Sequence, residues 1–97
     1  MSLVLKPTET TNATTIIGEG QHVFEANMPG GADWTSGLTI DVDIESAYED
    51  DVWETLHTFE DKGTWKVYLV YGRSYRVVAS AAGAWVALNV LKDRISR

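Results

Sequence analysis

The stretch that decides the fold is Thr64-Trp-Lys-Val-Tyr-Leu-Val-Tyr71, followed by Gly72-Arg73, Ser74-Tyr-Arg-Val-Val-Ala-Ser80, Ala81-Ala-Gly83 and Ala84-Trp-Val-Ala-Leu-Asn-Val-Leu91. Three runs rich in β-branched and aromatic residues are separated by short turns that contain glycine, a pattern typical of β-strands. Because the runs follow one another directly, they predict an antiparallel meander. The last run is apolar on both faces, which predicts a central strand or a strand that lies against a partner.

Other segments predict further strands around this stretch. Residues 38–45 alternate strictly, with Leu38, Ile40, Val42 and Ile44 on the face that should be buried. Residues 15–17 and 21–26 also predict strands, and the irregular apolar spacing of residues 52–59 predicts a strand with a bulge. About seven short strands indicate an all-β fold, an antiparallel β-sandwich of jelly-roll or immunoglobulin-like type.

The N-terminal segment has two interpretations. A short apolar run, residues 2–5, is followed by Lys6, Pro7 and a threonine-rich stretch up to residue 15. The run is either an edge strand or an arm that docks elsewhere. We divide the chain into an extended N-terminal arm, residues 1–15, and a β-sandwich domain, residues 16–97. The candidate partner-binding residues of the arm are Leu3, Val4, Leu5 and Lys6.

The composition excludes several classes of protein. A chain of 97 residues makes one domain, and the absence of cysteine excludes disulfides and cysteine-based zinc sites. The apolar runs are shorter than the ~20 residues of a membrane helix. The first residues lack the basic start and long apolar stretch of a signal peptide, so we expect a soluble protein that is not secreted and has no membrane partner.

The charges are divided unevenly along the chain. The net charge of −6 argues against a nucleic-acid partner, yet residues 1–61 hold 13 acids and one base, whereas residues 62–97 hold seven bases and one acid. Either the two parts interleave in one pair of sheets and attract each other, or acidic and basic surfaces dock between copies or onto a larger assembly. Arg73 and Arg76 are therefore candidate partner-binding residues.

No set of residues predicts catalysis. Asp41, Asp43 and Glu45 share one strand face, about 6.6 Å apart, which overlaps the carboxylate spacing of an inverting glycosidase. The same residues would suit Ca²⁺ if the acidic loop folded back beside them, but a solvated acidic face is the simpler interpretation. Neither His22 nor His57 has the spacing of a metal site. We expect no enzymatic activity, no cofactor and no bound metal.

Four tryptophans and four tyrosines are many for this length. We expect Trp53, Trp65 and Trp85 to lie in the core. Trp34 follows the Pro29-Gly-Gly turn, and we expect it to be the most exposed tryptophan. Since an aromatic ring flanked by carboxylates can stack on a sugar, Trp34 is also a candidate for carbohydrate binding.

Five segments together resemble a known family. They are residues 34–42 (WTSGLTIDV), 52–56 (VWETL), Gly63 with the strand after it, 74–79 (SYRVVA) and 82–86 (AGAWV). This succession resembles small β-sandwich virion proteins encoded among the structural genes of tailed bacteriophages. The loop before the strand at Trp53 is usually glycine-rich in that family, whereas here it is acidic. The resemblance therefore implies a fold and a context, but no binding residues.

The resemblance implies a structural protein. Such modules serve as head decoration (cement) proteins, or as parts of fibres and tail adaptors. We expect a decoration protein that is made in the host cytoplasm and binds the outer surface of the head. Its partners would be the major capsid protein and other copies of itself, with which it would form a homotrimer. The alternative is a carbohydrate-binding or adaptor module of a phage fibre or tail.

Overall fold

A computed structural model describes residues 2–91 and consists of eight β-strands with one 3-10 turn, Pro29–Gly31. The strands are β1 (Ser2–Leu5), β2 (Ile16–Ile17), β3 (Gly20–Asn27), β4 (Ile40–Glu45), β5 (Trp53–Phe59), β6 (Gly63–Leu69), β7 (Ser74–Ala79) and β8 (Trp85–Val90). They form two antiparallel four-stranded sheets, in the orders β1-β8-β3-β6 and β2-β7-β4-β5. The predicted all-β sandwich is confirmed.

The strand order is that of a jelly roll. Strands pair as β1 with β8, β2 with β7, β3 with β6 and β4 with β5, as in one long hairpin. The hairpin is then rolled up so that β8 also pairs with β3, and β7 with β4. The edge strands that remain are β1 and β6 in one sheet and β2 and β5 in the other.

The predicted meander is wrong, although its three strands exist. Strand β6 pairs with β3, β7 pairs with β4 and β2, and β8 pairs with β3 and β1. The glycine turns therefore carry the chain from one sheet to the other instead of joining neighbours in a sheet. The expectation that residues 84–91 contain a central strand is confirmed, since β8 lies between β1 and β3.

The core lies between the inner faces of the two sheets. The predicted apolar face of β4 is confirmed, because Ile40 and Val42 are fully buried and Ile44 nearly so, but the expected solvated acidic face is wrong for Asp43, which is also buried. The predicted bulge in β5 is also confirmed: Val42 pairs with His57 and Asp43 with Thr55, which leaves Leu56 as the extra residue. The largest fully buried side chains are Tyr75, Phe24, Leu5, Ile40, Leu69, Val42, Val77 and Val86.

The N-terminal segment packs into the sandwich. Strand β1 is an edge strand paired with β8, and Leu5 is 0% exposed in the core. Farther along, the Ala79 amide donates to the Thr10 carbonyl at 2.7 Å, and the Val77 amide donates to Oδ1 of buried Asn12 at 2.8 Å. Residues 2–5 are therefore an edge strand and not an arm that docks elsewhere.

Candidate functional site

Exposed large apolar side chains are concentrated at one end of the sandwich. Of the ten within residues 2–91, Leu3 and Leu56 lie within strands β1 and β5, away from the ends. The other eight lie at the end where β3 begins and β8 finishes. We call this the tyrosine end, and its members are Ile17, Tyr48, Val52, Tyr68, Val70, Tyr71, Val90 and Leu91.

The loop between β4 and β5 holds Tyr48 away from the core. Oγ of Ser46 accepts hydrogen bonds from the amides of Tyr48 and Glu49 at 3.1 and 3.2 Å. The Ser46 amide donates to the Val52 carbonyl at 2.7 Å and closes the loop. Serine hydroxyls commonly organise turns in this way. As a result, Tyr48 is 98% exposed although its backbone is held in place.

The turn between β6 and β7 presents a second tyrosine. The Arg73 amide donates to the Val70 carbonyl at 3.2 Å, and Gly72 has a φ of 82°, a conformation that favours glycine. The Val70 amide donates to the hydroxyl of buried Tyr75 at 2.8 Å, which fixes the turn to the core. Tyr71 is left 80% exposed. Both tyrosines are therefore exposed on connections whose backbones are held by hydrogen bonds.

The tyrosine end is also acidic. The carboxylates of Glu19, Glu49, Asp50 and Asp51 are all on exposed residues there. Arg73 lies among them, half-buried, and its Nη2 donates to the Glu45 carbonyl at 2.8 Å. Its Nε is buried and has no hydrogen-bond partner among the described residues. Beside it is a groove of about 280 Å³ lined by Ile44, Ser46, Ala47, Val52, Trp53, Glu54 and Arg73.

The acids of β4 meet a base of β7 within one sheet. Nε of Arg76 donates to Oδ2 of Asp43 at 2.9 Å, and Thr55 Oγ1 donates to Oδ1 of the same carboxylate at 2.9 Å. The guanidinium of Arg76 also lies 4.3 Å from the centre of the Trp53 ring, within the range of a cation–π contact. The pair joins an acid of residues 1–61 to a base of residues 62–97 within one sheet. It therefore fits the explanation that the two parts of the chain interleave and attract each other.

The candidate residues near the N-terminus are divided between the surface and the core. Leu3, Val4 and Lys6 line an open groove of about 370 Å³ between β1 and residues 13–17. Leu3 and Lys6 are exposed, whereas Val4 is half-buried and packs against the core. Leu5 is fully buried, so its side chain supports the fold and is not free to contact a partner.

The tryptophans are not placed as the sequence predicts. Trp65 packs against the core, but Trp53 and Trp85 are half-buried and do not belong to it, so that expectation is wrong for both. Trp34, expected to be the most exposed, is also half-buried and packs against the core. Its Nε1 donates to the Leu38 carbonyl at 3.0 Å, so the ring anchors the long loop between β3 and β4.

The two histidines have structural surroundings. The His57 ring stacks on Trp65, with ring centres 4.7 Å apart and nearly parallel planes, and it meets Phe59 edge-on at 4.7 Å. Partial burial against these rings lowers the pKa of His57 below its usual value of 6.5. His22 is buried, and its Nδ1 lies 2.9 Å from the Gly20 carbonyl.

Neither a metal cluster nor a membrane-spanning helix is found in the described part of the chain. Within residues 2–91, no three His, Asp or Glu side chains are grouped so that they could hold a metal ion. Over the same residues, no helix has the length and apolar character required to cross a membrane.

Comparison with protein-family models, with curated proteins and with solved structures returned no match.

Sequence reasoning did not identify the tyrosine end. The residues it singled out are spread over several places: Leu3 and Lys6 beside one groove, Arg73 beside another, and Arg76 on the outer face of a sheet. A usable signal was present, because Tyr48 lies in an acidic loop and Tyr71 directly precedes the Gly72-Arg73 turn. A large aromatic residue within a predicted loop, or at the last position before a predicted turn, lies where the chain leaves the core.

Proposed function

We propose that the chain is a structural virion protein that decorates the head of a tailed phage, where it binds the outer surface of the shell and stabilises it. The observation that carries the proposal is the concentration of exposed apolar side chains at the tyrosine end, with none of that size at the opposite end among residues 2–91. Exposed apolar patches on small domains mark interaction surfaces, and tyrosine is enriched in them.

Two further features support the proposal. Residues 34–90, which carry the resemblance to phage virion proteins, supply β4 to β8 and thus strands of both sheets. Jelly rolls recur in viral capsid proteins, although a fold by itself does not define a function. Many copies of a rigid sandwich, bound as homotrimers across neighbouring subunits of the major capsid protein, would add contact area that resists pressure from inside the shell.

The direct test is binding to empty head shells assembled from the major capsid protein of the same virus. Wild-type protein should co-sediment with the shells and raise the temperature at which they break. Replacing both Tyr48 and Tyr71 by serine should weaken binding at least about 30-fold, since the loss of even one tyrosine at the centre of an interface costs ~2 kcal/mol, which is about 30-fold. Light scattering on the free protein tests the trimer.

The control variant addresses the rival surface near the N-terminus. Leu3 and Lys6 are exposed beside the other groove, so Leu3→Ser with Lys6→Ser changes that surface without entering the core. This variant should bind like the wild type. If it loses binding while the Tyr48/Tyr71 variant retains it, the N-terminal surface contacts the shell. If the wild-type protein does not bind shells, decoration is the wrong function.

A carbohydrate-binding module of a fibre or tail is the second candidate. The observation that favours it is the position of Trp53, outside the core on the outer face of a sheet and close to Asp43. Because Arg76 covers part of the ring, a sugar would have to use the remaining surface. A fluorescence titration with a panel of oligosaccharides tests this idea, with Trp53→Ala compared against Trp34→Phe. Saturable binding that disappears only in Trp53→Ala would favour this candidate.

A further inference from the structure

The charges at the tyrosine end define the kind of surface it can contact. Its exposed carboxylates, those of Glu19, Glu49, Asp50 and Asp51, lie at the same end of the sandwich as its exposed apolar side chains. Among residues 2–91, the nearby arginines do not balance them at the surface, because Arg73 is half-buried against the Glu45 carbonyl and Arg76 is paired with Asp43. Complementary potentials steer partners together and determine their orientation.

A second copy of the chain does not fit this end. Two tyrosine ends that face each other would bring the exposed acids of one copy toward those of the other, and like charges in contact oppose association. Among the described residues, 2–91, the opposite end of the sandwich is not basic either. Lys6 and Lys62 lie there with four acids, Glu9, Asp33, Glu60 and Asp61. Head-to-tail stacking through the tyrosine end is therefore also disfavoured.

We infer that the tyrosine end docks on a basic surface of another protein, one that presents lysine or arginine side chains around apolar pockets able to receive Tyr48 and Tyr71. This inference rests on the proposed function, in which that surface belongs to the head shell. It assigns an orientation: the tyrosine end faces the shell, and the end with the β3–β4 and β5–β6 connections faces outward.

The chain offers a matched pair of charge variants to test this. Glu49→Gln with Asp50→Asn removes two negative charges from the tyrosine end, and Asp33→Asn with Glu60→Gln removes two from the opposite end. All four residues are exposed, and none of their side chains makes a hydrogen bond with other described residues. Both variants have the same net charge, so they differ only in where the charge is lost.

Binding of each variant to empty head shells would be measured across a range of salt concentrations. At ~0.15 M salt, the Glu49/Asp50 variant should bind about five-fold more weakly than the wild type, as expected for two exposed ion pairs. The Asp33/Glu60 variant should bind within about two-fold of the wild type. Wild-type binding should also weaken with added salt more steeply than binding of the Glu49/Asp50 variant.

Several results would overturn the inference. Equal binding by the wild type and the Glu49/Asp50 variant would show that no basic surface contacts this loop. An equal loss in both variants would show an effect of net charge without orientation. A change in the oligomeric state of the free Glu49/Asp50 variant would show that the tyrosine end contacts a second copy of the chain and not a basic surface of another protein. Failure of the wild type to bind shells would instead refute the proposed function, on which the inference rests.

Discussion

Removal of Arg76 tests whether the acidic and basic parts of the chain hold each other within one sheet. The side chain of Asp43 is 7% exposed and that of Arg76 is 34% exposed, and the two are joined at 2.9 Å. Without Arg76, the nearly buried carboxylate keeps only its hydrogen bond from Thr55. Loss of one partner of a fully buried pair costs about 3–5 kcal/mol. Because water reaches a third of Arg76, we expect a smaller loss for Arg76→Met, about 2 kcal/mol.

Urea denaturation of the free protein measures this loss as a lower midpoint with an unchanged slope. A double-mutant cycle with Asp43→Asn isolates the pair, and the coupling free energy should be about 1–2 kcal/mol. Lys66→Met is the control, since Lys66 is exposed on the other sheet, and it should change stability by less than about 0.5 kcal/mol. If Arg76→Met costs no more than this control, or if the two substitutions are additive, the pair does not stabilise the fold.

Three further predictions concern the stability of the free protein in urea. Leu5→Ala should lower the unfolding free energy by about 3 kcal/mol, because Leu5 is fully buried. Leu3→Ala, at a half-exposed position, should lower it by less than about 1 kcal/mol. Small and equal losses in both variants would mean that β1 is not part of the core. Because the pKa of His57 is lowered in the folded protein, the unfolded chain binds protons more readily, and the unfolding free energy should fall as the pH drops below about 6.5. This pH dependence should be weaker in His57→Gln. If the pH dependence of that variant equals that of the wild type, burial of His57 does not affect stability. Gly72→Ala should lower the unfolding free energy by about 1 kcal/mol, because φ is positive at Gly72. Gly63→Ala, at a strand position with open space around it, should leave the unfolding free energy unchanged. Equal losses in the two variants would exclude backbone strain as the cause.

Strand positions and buried faces were predictable because they depend on neighbouring residues. In β4, alternation of apolar and acidic residues predicted which side chains would be buried, and Ile40 and Val42 are so placed. In β5, the broken alternation predicted a bulge, which is found at Leu56. The two-residue period of a strand is visible in the order of neighbouring residues, so these predictions need no knowledge of distant contacts.

The candidate site was not predictable in the same way. The tyrosine end exists only because three connections meet there: the β2–β3 connection after Ile17, the β4–β5 loop with Tyr48, and the β6–β7 turn with Tyr71. Their meeting depends on the rolling of the hairpin, which pairs β2 with β7 and β4 with β5 and β7. Trp53 was misplaced for a related reason, since its burial depends on which face of β5 turns inward beyond the bulge.

The run from Thr64 to Leu91 separates what the sequence determines from what only the tertiary structure determines. The sequence by itself determined that this run contains three strands, and it predicted that the last one is either central or in contact with a partner; the structure has it between β1 and β3. Only the tertiary structure decided that β6 and β8 belong to one sheet and β7 to the other. The physical reason is that a glycine turn permits reversal within a sheet or passage between sheets. The choice is made by packing of the whole core and by long-range pairing of β3 with both β6 and β8.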